Sequence, residues 1–395
     1  MLVFGDDCRS FLAVVRSLGR QGIRVHAVPF DPGAQAVRSR YVTRVHELPV
    51  PDRSERWIEG LELVLRQYKF DLLIPCCDRS TLNLHAYRHR LKDQRLALPD
   101  DKVLFALFDK YETKKLAERL CVPAPRGRLL AERDTVEALL GEFGLPLVIK
   151  PRRSYYLDGA SRERRVGILR SRQQLERYLA KLPSPRDLLV EEFVDGVGIG
   201  VSLIASDGEV LCAFQHQRLQ EPPGGGASSA RVSEALDPML LKACRAIVKD
   251  CEMTGVAMFE FRSDPGSDRS ALLEVNARFW GSLPLPVALK VDFPMFLYRL
   301  LVEGKKATQV DYPAGIKSRN LLRNVHHVLL HAVPLSPASV LRLAADISGL
   351  AMHPIRLVLG RETSDTFQLD DWRPGALELA RIPSMIAFRL RDRRA

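Results

Sequence analysis

The stretch LLEVNARFWGS, Leu272 to Ser282, decides the fold. Its polarity alternates: Leu273, Val275 and Ala277 are apolar or small, while Glu274, Asn276 and Arg278 are not. Side chains two apart on a strand share a face. A carboxylate, an amide and a guanidinium therefore point the same way, which suits either a wet surface or the floor of a site. Upstream, GVAMFEF carries Glu260 on the face it shares with Val256 and Met258. The connector SDPGSDRS, Ser263 to Ser270, is rich in turn formers, so strands over 256–262 and 271–278 are expected to form a hairpin. Paired this way, Glu260 and Glu274 converge. A charge among so many apolar neighbours is expensive without a metal or a partner. Two carboxylates and an amide oxygen form a hard donor set, suited to Mg²⁺ that keeps waters and bridges phosphates. Arg278 can balance developing negative charge.

The rest of the chain sets limits on this reading. It has 395 residues, enough for two or three domains; 46% hydrophobic and 27% charged residues indicate a soluble globular class. Lys+Arg 59 against Asp+Glu 48 gives +11, which favours anionic partners. No stretch interleaves aromatic and basic residues, so a nucleic-acid partner is not expected. MLVFGDD lacks a basic n-region, and no run of about 18 apolar residues appears, so neither a secretory signal nor a membrane span is expected. Seven scattered Cys without C-x-x-C suggest reduced thiols in a cytoplasm.

The first hundred residues alternate short apolar strands (Leu2–Phe4, Ile23–Val28, Asp71–Pro75) with helical patterns, one carrying Phe11, Leu12, Val15 and Leu18 and capped by Asp7. This rhythm predicts a small open parallel sheet. Gly5-Asp6-Asp7-Cys8 is not G-x-G-x-x-G, which argues against a nicotinamide site. A helical pattern runs from Lys102 to Leu120 and stops at CVPAP. Asp134-Thr135-Val136-Glu137 and Ser171-x-x-Gln174 open further helices with cap-like spacing. Strands are expected at 145–151, 188–194 and 197–204, and a helix from Pro238 to about Cys251. GVGIG, Gly196 to Gly200, is followed by the strand-like VSLIAS rather than a helix, so it is not a dinucleotide loop. The last hundred residues read as mainly helical. Their apolar stretch 325–360 either covers the chain's own core, the preferred reading, or docks on a membrane or partner. The pairs His85/His89 and His327/His331 have i, i+4 spacing but no evident third ligand, so no metal is assigned to them.

FEF (Phe259 to Phe261) together with LLEVNARFWGS resembles the metal-binding signature of the ATP-grasp superfamily, the fold of biotin carboxylase, carbamoyl phosphate synthetase and D-alanine ligase. The resemblance extends from residue 1 to about 300. It implies an α/β architecture: a Rossmann-like domain at 1–100, the small ATP-grasp lobe at 101–186, the large lobe with the metal site at 187–300, and a mainly helical region at 301–395. It further implies that Glu260, Glu274 and Asn276 bind the Mg²⁺ (or Mn²⁺) of Mg-ATP, two ions in all, and that Arg278 contacts the transferred phosphoryl group. By the same resemblance, Lys110 in FDKYETKK and Lys150 in VIKP reach phosphate. In VEEFV, Glu191 approaches the adenine amino group and the backbones of Glu192, Phe193 and Val194 bond the ring. The acidic ribose ligand that relatives carry near Gly198 is absent, and Asp195 is the substitute. The loop RRSYYLDGASRERR, Arg152 to Arg165, has one Gly where relatives have a Gly-rich flap; it either neutralises phosphate or is a solvated hairpin. AFQHQRLQEPPGGGASS, Ala213 to Ser229, resembles the carboxylate–amine ligase branch. There Arg218 would grip an anionic substrate or the γ-phosphate, and Gly225, Gly226 and Ser228 would shape the substrate pocket. Trp280, Gly281 and Ser282 would begin that pocket.

The activity so implied is an ADP-forming ligase that activates a small carboxylate as an acyl-phosphate and joins it to an amine. A homodimer is compatible with this reading. A carboxylase or small-molecule kinase on the same fold, and a nucleotide-binding module without turnover, remain alternatives.

Overall fold

The computed structural model describes the chain apart from residues 6–8, 32, 50–53, 157–165, 183–186, 222–227, 265–268, 331–336 and 393–395. The expected cap Asp7, the pair Gly225 and Gly226, His331 and most of the Arg-rich loop lie outside the described residues.

Three sheets organise the protein. The first is parallel, in the order Val42–Val45, Val25–Pro29, Leu2–Gly5, Leu73–Pro75. Alternation along its central strand explains how both faces are covered. Val3 packs with Phe11 and Leu12 of helix Ser10–Arg20, while Leu2 and Phe4 face Trp57, Ile58 and Leu61 of helix Glu55–Gln67. The second sheet is antiparallel, in the order Gly127–Leu129, Leu188–Glu192, Leu147–Pro151, Gly167–Leu169. Helices Val136–Phe143 and Arg172–Ala180 bury Leu139 and Leu175 against its Leu147, Ile149 and Val190. Ser171 accepts from Gln174 N, as its spacing predicts; in the other helix Thr135 is the cap and accepts from Ala138 N, while Asp134 accepts from Ala131 N.

The third sheet has seven strands: Ser270–Asn276, Gly255–Ser263, Val197–Ser206, Glu209–Gln220, Ala230–Glu234, Lys317–Arg319 and Glu362–Ser364. Val201, Leu203 and Phe259 pack under Leu240, Cys244 and Ile247 of helix Pro238–Asp250. Ile204, Phe214 and Met258 join a cluster that also contains Val3, Phe11 and Trp280. The N-terminal sheet and the central sheet thus share one apolar core, which fixes their relative position.

Three expectations need correction. The helical run 102–120 is two helices, Asp101–Leu107 and Lys110–Arg119. Asp109 breaks it because its carboxylate accepts from Tyr111 N and Glu112 N, a better use of that oxygen than a mid-helix position offers. The second hairpin strand ends at Asn276, so Arg278 follows the strand rather than belonging to it. The apolar stretch 325–360 does not simply cover the core. Helix Leu321–Leu330 packs on Pro337–Ala351 and Arg373–Asp392, but Ile347, Ile355 and Val358 face solvent.

The C-terminal region also contributes two strands that its sequence does not announce. Each is three residues long, and ions hold them: Arg319 Nε donates to Glu362 Oε1 at 2.7 Å, and both side chains are buried. No helix among the described residues is long and apolar enough to cross a membrane.

Candidate functional site

The hairpin forms with Glu260 directly opposite Glu274 and Met258 opposite Asn276. A register shift just after Glu260 marks a bulge, a common device for aiming a side chain. Asn276 Nδ2 lies 3.4 Å from Glu260 Oε1 and 3.3 Å from Glu274 Oε1, so the amide bridges the two carboxylates. Its Oδ1 accepts from Arg278 Nη2 at 2.8 Å. A cation between the carboxylates would need this amide turned over, which an Asn side chain can do without moving its backbone.

Cations surround the pair. Lys110, in the first turn of its helix because Asp109 ends the helix before it, places Nζ 3.2 Å from Glu274 Oε2 and donates to Ser154 Oγ. Burial would raise the Glu274 carboxyl, but Lys110 and Lys150 outweigh it and hold it at about 2. Burial does raise Glu260, against the pull of Arg218, whose Nη2 lies 2.6 Å from Glu260 Oε2. Arg218 also reaches Glu221 at 3.2 Å, and Arg262 reaches the other Glu221 oxygen at 2.6 Å. Arg278 forms a two-pronged pair with Asp78, 2.6 and 2.8 Å, and donates to Phe279 O. Asp78 opens helix Asp78–Ala86 of the first sheet unit, so this pair ties the hairpin to it.

Lys150 and Glu191 meet elsewhere. Lys150 Nζ lies 2.5 Å from Glu191 Oε1, and Lys114 lies 3.4 Å from Glu191 Oε2 and donates to Pro125 O. All three are buried. Burial pulls Lys114 below its usual value, with Glu191 opposing and Lys150 adding to it. Beyond them, Glu192 accepts from Arg126 N, Phe193 lies under the Arg170 guanidinium, and exposed Asp195 accepts from Gly196 N.

Two cavities adjoin the hairpin. One of about 530 Å³ is lined by Phe108, Lys110, Ser154, Tyr156 and Glu274, among others. The second, about 260 Å³, is lined by Arg218, Ser228, Arg278, Trp280, Gly281 and Ser282, with further residues described below. Asp78, Glu274 and Asn276 line both and so form the wall between them, with Glu260 on the side of the smaller. Lys150 and Glu191 to Asp195 line neither. Trp280 is 1% exposed and packs edge-on against Phe293, so it is as much core as pocket. Ser228 donates to Ala230 O.

Sequence reasoning missed Lys114, Asp78, Arg9 and Arg231. Lys114 had a signal, since it stands four residues after Lys110 on one helix. The others had none, because only the tertiary fold brings them to the hairpin. Elsewhere His85 meets the exposed Asp101, and His327 meets Asp346. Among the described residues, no group of three or more His, Cys, Asp or Glu could hold a metal; the hairpin offers two carboxylates and an amide.

Residues 184–323 match a family model described as "ATP-grasp in the biosynthetic pathway with Ter operon". The large chain of carbamoyl phosphate synthase from Xanthomonas campestris pv. campestris is 30% identical over 193 residues, 45% of this chain and 17% of that one. D-aspartate ligase from Enterococcus faecium is 23% identical over 266 residues, covering 62% and 63% of the two chains. The present chain thus spans about a sixth of the synthase and less than two thirds of the ligase. Among solved structures, the biotin carboxylase domain of Hydrogenobacter thermophilus 2-oxoglutarate carboxylase, in complex with MgADP and bicarbonate, superposes with a TM-score of 0.61 at 18% identity. That match covers 80% of this chain and 73% of the other. L-amino acid ligase from Bacillus licheniformis gives 0.57 at 17% identity, covering 76% and 74%.

Proposed function

We propose that this chain, which carries an ATP-grasp domain, is an ADP-forming ligase that couples a small carboxylic acid to an amine. The observation that carries the reading is the carboxylate–amide cluster of Glu260, Glu274 and Asn276 on the wall between two cavities. Lys110 stands on the side of the larger cavity and Arg218 and Arg278 on the side of the smaller. The larger cavity suits the nucleotide phosphates and the smaller the acid.

Glu260, Glu274 and Asn276 are the residues that would hold Mg²⁺. The donor set fits, because Mg²⁺ is usually held by one or two carboxylates and completes its shell with water and phosphate oxygens. When bound, the ion neutralises phosphate charge. Glu274 suits this role, since it stays ionised at any ordinary pH. Lys110, beside Glu274, would turn to phosphate, as would Lys150. Glu191 would sit near the adenine edge once Lys114 and Lys150 share their charge with the nucleotide.

In the first step a carboxylate oxygen of the acid forms a bond to the γ-phosphorus as the bond to the β,γ-bridging oxygen breaks, and ADP leaves. In the second, the amine nitrogen attacks the acyl carbon, phosphate departs and the amine loses a proton. Arg278, fixed by Asp78 and Asn276, would face the transferred phosphoryl group. The protein's contribution is positioning and charge neutralisation. D-aspartate ligase among the similar proteins supports an amide-forming reaction, and the biotin carboxylase likeness keeps a carboxylase as the second reading.

The test is a matrix of acids and amines incubated with MgATP, scored for ADP and for product mass. ADP with an amide of the added mass meets the proposal. A phosphorylated acceptor without amide would replace it by a kinase, and bicarbonate-dependent ADP release by a carboxylase.

A further inference from the structure

The smaller cavity gathers several arginines, one of them buried with unused donors. Among the described residues that line it are four arginines, Arg9, Arg218, Arg231 and Arg278, and three carboxylates, Asp78, Glu260 and Glu274; behind the lining, Glu221 pairs with Arg218 and Asp365 with Arg231. Two of those carboxylates belong to the cluster that would bind cation, so they are not available to offset the arginines when the site is loaded. Arg218 and Arg231 are direct cross-strand partners in the antiparallel pair of Glu209–Gln220 and Ala230–Glu234. Like charges in that relation repel. Arg231 is 1% exposed; it meets Asp365 and Ser318 through Nη2, while its Nε and Nη1 have no partner among the described residues. Burial pulls this guanidinium below its ordinary value, and Arg9 and Arg218 add to the pull against Asp365. A buried guanidinium in this state favours one more anion.

Two glycines make the arrangement possible. A side chain at Gly281 would start 2.2 Å from Arg9 Nη1, so glycine lets that guanidinium lie against the peptide after Trp280. A side chain at Gly200 would start 2.1 Å from the ring of His216, a fully buried residue that also lines the cavity. Burial, Arg231 and Arg218 keep His216 neutral, so it adds hydrogen-bonding capacity but no competing charge.

We propose that the acid bound in this cavity carries a second anionic group, held at the end formed by Arg9 and Arg231, away from the carboxylate presented to Glu260 and Glu274. This rests on the ligase reading for the identity of the reacting end, but the binding claim stands by itself. The occupant is a small dicarboxylic acid or a phosphono-carboxylic acid, because 260 Å³ is the volume of about nine waters.

Calorimetry on the full chain with MgADP, using succinate, 3-phosphonopropionate and butyrate as probes, tests it. One of the first two should bind about tenfold or more tighter than butyrate, the worth of one charge-assisted contact. Whichever wins identifies the second anion as carboxylate or phosphonate. Arg9→Gln and Gly281→Ala, which removes the guanidinium's seat without touching its charge, should each cut that preference to about threefold or less. MgADP affinity serves as the folding control for both. Equal binding of all three probes overturns the proposal, as does a preference that survives both substitutions. Tight binding without ADP formation from ATP in the acid and amine matrix would keep this inference and remove the ligase reading. ADP formation from butyrate with no preference for a second anion would do the reverse.

Discussion

Replacing Asp371 with alanine should loosen the C-terminal segment from the first helix and, with it, the floor of the acid cavity. Asp371 is buried and fully engaged: Oδ2 accepts from Arg16 Nε at 2.8 Å and from Ser39 Oγ at 2.7 Å, and Oδ1 accepts from Arg40 N at 2.8 Å. Arg16 is buried too, and burial already pulls its guanidinium below the ordinary value despite Asp371. Removing one partner of such a pair costs about 3–5 kcal/mol because the other charge is stranded. Arg16 Nη2 keeps its bonds to Thr366 O and Asp371 O, both 2.7 Å, so the lower end applies, about 3 kcal/mol. That is about two decades in the local opening constant. Amide hydrogen exchange over residues 362–371 reads it directly: protection should fall about a hundredfold there. The double variant Arg16→Met, Asp371→Leu removes both charges and should recover about half of the loss. If the single variant changed protection less than about threefold, or the double variant were no better than the single, the pair would not be what holds the segment. The functional consequence follows from Asp365, in the same segment, which is the anion paired with Arg231. A loosened segment should weaken acid binding more than nucleotide binding.

Glu274→Gln should abolish ADP formation and flatten the Mg²⁺ dependence of nucleotide binding, measured by titrating the ion at fixed ADP; retained turnover would refute the metal assignment. Arg278→Ala should lower turnover by about a hundredfold or more while changing nucleotide affinity less than about threefold, and a pure affinity loss would contradict its proposed place at the transferred group. His26 lies 2.9 Å from His46, and burial, followed by His46, the N-terminal amine and Arg44, lowers it to about 4. Its folded value lies below the unfolded one, so its share of stability is complete above about pH 6.5 and is lost as pH falls towards 4. Solvent screening limits that share to about 1 kcal/mol or less. Urea midpoints should therefore drop between about pH 7 and pH 5, and drop less in His26→Gln; identical slopes would remove this histidine from the account.

Much of this architecture was legible because it rests on local rules. The short apolar run Leu2–Phe4 predicted a strand of a small parallel sheet, and it is one, with Val3 and Phe4 facing different cores. Cap-like spacing over Asp134 to Glu137 and at Ser171 predicted two helix starts, the second to the residue and the first within one residue. The break at Asp109 was not read, although a carboxylate followed by two amides it can accept is a local signal. The two strands Lys317–Arg319 and Glu362–Ser364 could not be read, since three residues carry no periodicity and their stability comes from the buried pair of Arg319 and Glu362.

The sequence by itself determined the hairpin and the pairing of Glu260 with Glu274, because side-chain period and turn chemistry leave one register that buries GVAMFEF and LLEV together. It also determined that Asn276 follows on the same side, whereas Arg278 lies past the strand's end and is set by its bonds to Asn276 and Asp78. Only the tertiary structure decided what faces them. Asp78 arrives from the first sheet, Lys110 from a helix reset by Asp109, Arg9 from the head of the first helix and Arg231 from the neighbouring strand, held by Asp365 from the far end of the chain. The physical reason is range. Periodicity and capping act over a few residues, whereas electrostatic partners are chosen by packing, and these come from positions hundreds of residues apart that one shared apolar core brings into contact.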